Sequence, residues 1–368
     1  MKKLVTALGA VAISATAAHA GGIDRSGQNI GILFEKGRLV ELSFGRIMPS
    51  VSGIDLASNP TGNVAVDYSQ IGLAYKYDVN AQTSFALIID QPFGAKVNYG
   101  PTSTLLGGTK ADASSTAITG LLRYKFNENF SAFGGLRAQQ AKATVDLRGL
   151  AYGPVAAPTL NGYSVALASD WGLGYVAGVA YEKPEIALRV SLTYNSAISH
   201  SFKTTENFAP GGSPNTKSKT PQSVNLDFQT GVAANTLVFG QIRWVQWSAF
   251  KLKPSVLAGA SLVNLEDSIT YTLGVGRKFS DAWSGAVSVV YEKPGDRLVS
   301  PLAPSTGKLG LTLAGIYTTG NMKITTGINY TKLGNATPYT GAQIPANTRA
   351  NFSGNKAIGV GVKVAYTF

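Results

Sequence analysis

Few residues in this chain could carry out bond chemistry. There are two histidines and no cysteine, and one histidine, His19, lies in the first twenty residues. The other, His200, stands between Ser199 and Ser201, where it could act as a base. No G-x-S-x-G elbow, phosphate-cradling glycine loop or zinc spacing accompanies it. Gly307-Lys308 lacks both the earlier glycine and the following Ser or Thr that a phosphate loop needs. A solvated or interfacial histidine fits better than a catalytic one. No enzyme activity, metal or cofactor is expected.

Binding chemistry has more candidates. Lys142, Asp146 and Arg148 alternate with Ala141, Ala143 and Val145, so the three charges share one face of an extended segment. Lys142 or Arg148 could hold a carboxylate by a charge-assisted hydrogen bond, or the charges could neutralise one another. The connection 150–168 is unusually apolar, with Leu150, Tyr152, Val155, Leu160, Tyr163 and Val165, and Phe208 lies in the next long connection. Apolar loop residues of this kind either bind a ligand or pack over one another. Leu160, Tyr163 and Phe208 are the candidates for ligand contact, whereas Trp244 and Trp247 suit an interfacial girdle better than a stacking site. Within 83–98, Gln91-Pro92-Phe93-Gly94 interrupts the alternation. Proline cannot donate to a strand ladder and glycine permits a bend, so pairing should break there or bulge.

The elements that must position these residues are strands. The chain has 368 residues, 44% hydrophobic and only 14% charged, with 42 Gly, 16 Tyr and 15 Phe. That composition excludes a disordered tail and a disulfide scaffold, and the long apolar run at the N-terminus is the only one. Lys2 and Lys3, the apolar stretch Leu4 to Ala17, and Ala18-His19-Ala20 together predict a secretory leader, 1–20, cleaved before Gly21. The formal charge of +12 is spread singly over the chain, which argues for a solvated lumen and rim and against nucleic acid.

Beyond the leader the period is two. Leu188, Val190, Leu192 and Tyr194 alternate with Arg189, Ser191, Thr193 and Asn195, and similar runs recur at 267–279 and 307–318. About fourteen such segments fit between 38 and 368, joined alternately by tight polar turns and longer irregular loops. Short turns at one end and long loops at the other predict an all-β fold: a transmembrane antiparallel barrel in the bacterial outer membrane, crossed many times and surrounded by outer-membrane lipid. Val360, Val362, Val364, Tyr366 and Phe368 alternate to the last residue, and pairing this strand with the first would remove both sheet edges. Tyr366 and Phe368 resemble the terminal signal read by the bacterial barrel-assembly machinery. The segment 21–37 is not strand-like. Its Ile30, Ile32, Leu33 and Phe34 suggest a short plug inside the barrel, with a periplasmic tail as the alternative.

Several motifs resemble one family. Thr220-Pro221-Gln222-Ser223 followed by Trp244-Val245-Gln246-Trp247-Ser248-Ala249-Phe250 is similar to the Pro-x-Ser and W-x-x-W-S-x-F strands of the FadL family of outer-membrane transporters for long-chain fatty acids and other hydrophobic compounds. Asp170-Trp171-Gly172-Leu173-Gly174 resembles its W-G-x-G hairpin. The family's longer N-terminal hatch, with its Asn-Pro-Ala element, is not matched, so 21–37 would be a shortened hatch. The resemblance implies a 14-stranded, monomeric barrel that admits hydrophobic small molecules passively. It also implies release sideways through a break in the third strand, here Gln91 to Gly94. Long-chain fatty acids are the expected cargo; an aromatic hydrocarbon, or a general porin with an axial channel, is the alternative.

Overall fold

The computed structural model describes residues 23–153 and 160–368. The expected leader and Val155 lie outside the described residues. Fourteen long strands form one antiparallel sheet. They are β1 (Leu39–Ser50), β2 (Tyr68–Asp78), β3 (Thr83–Asp90, resumed at Gly94–Asn98), β4 (Lys110–Lys125), β5 (Phe130–Leu147), β6 (Tyr163–Lys183) and β7 (Leu188–Asn195). The second half comprises β8 (Ser223–Ala233), β9 (Thr236–Val245), β10 (Ser268–Lys278), β11 (Trp283–Glu292), β12 (Thr306–Thr319), β13 (Met322–Gly334) and β14 (Lys356–Thr367). Each strand pairs with the next, and β14 pairs back onto β1 with Leu39 opposite Thr367 and Ser50 opposite Lys356. The sheet is therefore a closed barrel, which leaves no edge to template aggregation.

Alternation turns one set of side chains outward along every strand. On β6 the outward residues Trp171, Leu173, Tyr175 and Val179 are all exposed and apolar. From Tyr181, whose ring packs on Phe130, to Trp171 is ten residues. At about 3.3 Å each and a tilt near 40°, that rises about 25 Å, the height of a bilayer's apolar band. Among the described residues no helix is long and apolar enough to cross a membrane; the strands do so.

Inside, two apolar clusters are stacked with a polar layer between them. One, at the end with the short turns, gathers Ile30, Ile32 and Leu33 with Leu39, Ile88, Leu121, Phe133 and Val176. The other, under the long loops, gathers Phe93, Tyr99, Val145, Tyr163, Phe202, Trp247, Phe250 and Phe352. Two elements depart from the sequence expectation. β6 begins at Tyr163 rather than near 169, because Tyr163, Val165 and Leu167 extend the ladder to Leu147, Val145 and Ala143. β7 leaves the barrel sheet after Asn195; its continuation Ile198–Phe202 forms a separate hairpin with Thr216–Thr220, and Thr204–Glu206 then rejoins β6.

Candidate functional site

The barrel wall is interrupted between β2 and β3. Their ladder runs from Asp78 opposite Ser84 to Leu73 opposite Ile89 and stops. Contact resumes only where Val66 N donates to Lys96 O (3.2 Å) and Asn98 N to Val64 O (2.8 Å). On the other side β3 stays attached to β4: Asp90 faces Ala117 and Gly94 faces Ser114, so three residues of β3 span two of β4. Ser115 secures this bulge, its amide donating to Phe93 O at 3.0 Å and its hydroxyl accepting from Phe93 N at 2.9 Å. Bulging toward β4 takes the β3 backbone away from β2, where Pro92 has no N–H to offer. The free amide of Ile71 is met instead by the Gln91 side chain, at 3.1 Å.

The N-terminal segment occupies this interruption from inside. Arg25 N donates to Pro92 O (2.8 Å) and Gly94 N to Ile23 O (2.8 Å), with Asp24 bridged to Phe93. The segment thus adds a short strand to the break. Arg25 Nε donates to Gly94 O (2.9 Å), and its guanidinium lies 4.2 Å from the centre of the Tyr68 ring on β2. The bare backbone of Gly94 leaves room for this side chain, since a Cβ there would sit 2.4 Å from Arg25 Cζ. Arg25 therefore spans the opening from lip to lip, and it forms no ion pair among the described residues. A cavity of about 150 Å³ adjoins the opening, reaching from Ser26 and Ile32 past Gly72, Asp90 and Gln91 to the outward side chains Phe44 and Leu73.

The rest of the segment is tied to the opposite wall. Arg243 on β9 donates to both carboxylate oxygens of Asp24 (2.6 and 3.2 Å) and to Gln28, Ser223 and Asn225. Ser26 hydrogen-bonds to Asp90 on β3. Further along, Ile30, Ile32 and Leu33 are buried, and Phe34 lies between the guanidinium groups of Arg123 and Arg189, each 4.6 Å from its ring centre. Residues 23–34 thus fill the barrel axis on the short-turn side.

The other sequence candidates fall elsewhere. Phe93 points inward, and its partner is Trp247, edge-on at 5.4 Å. Trp247 is fully buried rather than part of a girdle, since the chain leaves the sheet after Val245 and turns back over the mouth. Tyr163 is also fully buried, and its hydroxyl donates to Glu206 at 2.6 Å. Leu160 packs against the same upper cluster, and Phe208 keeps an exposed face while resting on the Tyr163 ring. Lys142 and Arg148 do not reach the interior. Ala143, Val145 and Leu147 take the inward positions of β5, so the intervening charges face out, with Arg148 3.6 Å from Asp146. His200 is buried between Asp170 (3.2 Å) and Gln139 (3.3 Å), which take up its two ring nitrogens. Sequence reasoning missed Arg25, Tyr68 and Arg243; nothing in local spacing distinguishes them.

Glu206 organises the loops above. It accepts from Tyr163, from the Ser255 hydroxyl (2.5 Å) and from the Val256 amide (3.0 Å). Burial pushes its carboxyl up, but hydrogen bonds from Ser255, Tyr163, Val256 and Ser213 outweigh that and hold it below the usual glutamate value.

A closed barrel with long loops at one end, a filled axis and an interrupted ladder in its wall has the architecture of a membrane channel protein. Residues 40–368 match the family described as outer membrane protein transport protein (OMPP1/FadL/TodX). The chain belongs to that family, whose members are outer-membrane transport channels for hydrophobic compounds and not enzymes. No curated protein sequence matches. Among solved structures, a Pseudomonas aeruginosa FadL homologue is similar at TM-score 0.73 and 16% identity, covering 96% of this chain and 98% of that one. The Pseudomonas putida toluene transporter TodX follows at 0.66 and 12%, covering 95% and 96%. The Ralstonia pickettii toluene transporter TbuX stands at 0.62 and 14%, covering 91% and 90%. At these identities the likeness concerns the fold.

Proposed function

We propose that this barrel takes up hydrophobic molecules, long-chain fatty acids foremost, and releases them sideways into the membrane between β2 and β3. The observation that carries this reading is the lost ladder opposite Gln91–Gly94, together with the cavity that joins the N-terminal segment to the outward Phe44 and Leu73. An apolar molecule leaving there enters lipid without crossing water, so the hydrophobic effect favours each step. The axial alternative fits poorly: Ile30, Ile32, Leu33 and Phe34 pack into an apolar cluster across the barrel, where a porin needs a wetted channel. In this reading residues 21–37 are a plug, and Arg25 is its bolt. The fatty acid assignment draws support from Arg25 itself, a cation at the exit with no carboxylate in ion-pair range among the described residues. A passing carboxylate is its complement. Phe208 and Leu160, at the loop surface, serve as the first apolar contacts, and Tyr366 and Phe368 serve assembly of the barrel.

The chain has no cysteine, so single thiols can be placed cleanly. Ile71→Cys and Leu73→Cys put one at the outer lip, and Leu311→Cys puts one on the outer face of β12, four strands away. Labelling with thiol reagents of increasing size should block fatty acid uptake progressively at the lip positions and leave the Leu311 control unaffected. Equal sensitivity of all three, or of none, rejects lateral exit.

A further inference from the structure

Four lysines form a second, unrelated feature on the outer surface. Lys142 stands on the outward face of β5, opposite the bulge at Ala168 and Ser169 of β6. Lys203 is joined to that same point, since Ala168 N donates to Lys203 O at 3.0 Å. In the hairpin that leaves β7, Lys217 pairs with Ser201 and Lys219 with Ser199. One face of this hairpin, with Ile198, His200, Phe202, Thr216, Ser218 and Thr220, is buried against the barrel interior. The exposed face therefore points away from it and carries Lys217 and Lys219, in line with Lys203.

None of the four forms an ion pair among the described residues, although acids are close by. Asp146 is taken by Arg148 and Ser164, and Asp170 by His200 and the Ser201 amide. Four like charges left together without counter-ions raise the local potential, so an external anion is the missing partner. Their level identifies it. Trp171 ends the apolar band of β6, and Lys142 and Lys203 lie against Ala168, three residues further along. That places the ammonium groups at the depth of lipid head groups on the loop side, above the exposed apolar side chains Leu136, Leu173 and Tyr175.

We infer that Lys142, Lys203, Lys217 and Lys219 bind the phosphates of a phosphorylated glycolipid, the lipid A portion of lipopolysaccharide, in the outer leaflet. Its acyl chains would lie on Leu136 and Leu173 while its phosphates bridge the lysines. The inference rests on the reading of the chain as an outer-membrane barrel whose long loops face the cell exterior. Outer-membrane fractionation, with protease access to the long loops in intact cells, checks that reading for every variant separately from the lipid site.

The test uses the full mature barrel in lipid nanodiscs, titrated with bisphosphorylated lipid A and with its dephosphorylated form. Binding of the phosphorylated form should be stronger on the order of tenfold. The quadruple variant K142Q/K203Q/K217Q/K219Q should lose that preference, while glutamine at Lys278 and Lys323, on the short-turn side, should keep it. Equal binding of both lipids by the wild type, or retention of the preference by the quadruple variant, overturns the proposal. Displacement of lipid A by millimolar inorganic phosphate also overturns it, since the site would then be one for a free anion. Should the quadruple variant fail to insert, the paired variants K142Q/K203Q and K217Q/K219Q give the same readout.

Discussion

Replacing Arg25 by alanine should open the wall without unfastening the N-terminal segment. The side chain makes one charge-assisted hydrogen bond, Nε to Gly94 O at 2.9 Å, and one cation–ring contact at 4.2 Å from the Tyr68 centre. The first is worth about 1.5–3 kcal/mol and the second about 2 kcal/mol where water is excluded. Discounting for the hydration Arg25 regains when it swings free leaves about 3 kcal/mol favouring the closed arrangement, or about a hundredfold in the closed-to-open ratio. The Asp24–Arg243 pair and the Ser26–Asp90 bond are untouched, so the remainder of the segment stays in place. Uptake should be measured for a neutral aromatic hydrocarbon and a labelled long-chain fatty acid, in a deletion strain with matched surface levels. Hydrocarbon uptake should rise by one to two orders of magnitude, up to the limit set by arrival at the mouth. Fatty acid uptake should rise less or fall, because the carboxylate loses its partner. Unchanged rates for both cargoes would refute the reasoning, and equal gains for both would refute the carboxylate role alone.

Gly94→Ala should act in the same direction by another route: its Cβ would meet the Arg25 guanidinium, the movable end of a side chain, and expel it. Hydrocarbon uptake no faster than wild type would separate the two residues. Trp247→Ala removes the fully buried ring that supports Phe93, and should cost about 3–5 kcal/mol, read as a lower unfolding midpoint in detergent. Deleting Phe368 removes its amide bond to Arg38 O (2.9 Å) and its ring from the Arg38 guanidinium; the amount of assembled barrel should fall while transport per inserted barrel holds. Glu206 is held below its unfolded pKa, so its contribution is present above about pH 4.3 and is lost as pH falls further. Acid should therefore loosen the loops in wild type, detected by protease nicking, whereas Glu206→Gln should start looser at neutral pH and change less on acidification.

The strands were legible because a barrel wall between lipid and interior imposes the same two-residue alternation on every pass, and a period of two survives without knowledge of neighbours. The seven residues from Leu188 to Tyr194 already say which side chains face out. The break at Pro92 and Gly94 was legible for a related reason, since missing donors and missing side chains are local properties. Faces near the mouth were not. Lys142, Asp146 and Arg148 share a face in any extended model, but which face is turned inward depends on what packs there, and Ala143, Val145 and Leu147 joined the loop cluster. Trp247 reads as a girdle residue until the chain is seen to leave the sheet after Val245 and fold over the barrel. Arg25 is the extreme case. Its partners Gly94 and Tyr68 are far away in sequence, and Asp24 beside it is held by Arg243 on the opposite wall. By itself, then, the sequence determined a barrel of about fourteen passes and the strand in which pairing would break or bulge. Which residues close that failure was decided only by the tertiary structure, because closing a gap is a contact between distant segments, and distance along the chain carries no pattern of its own.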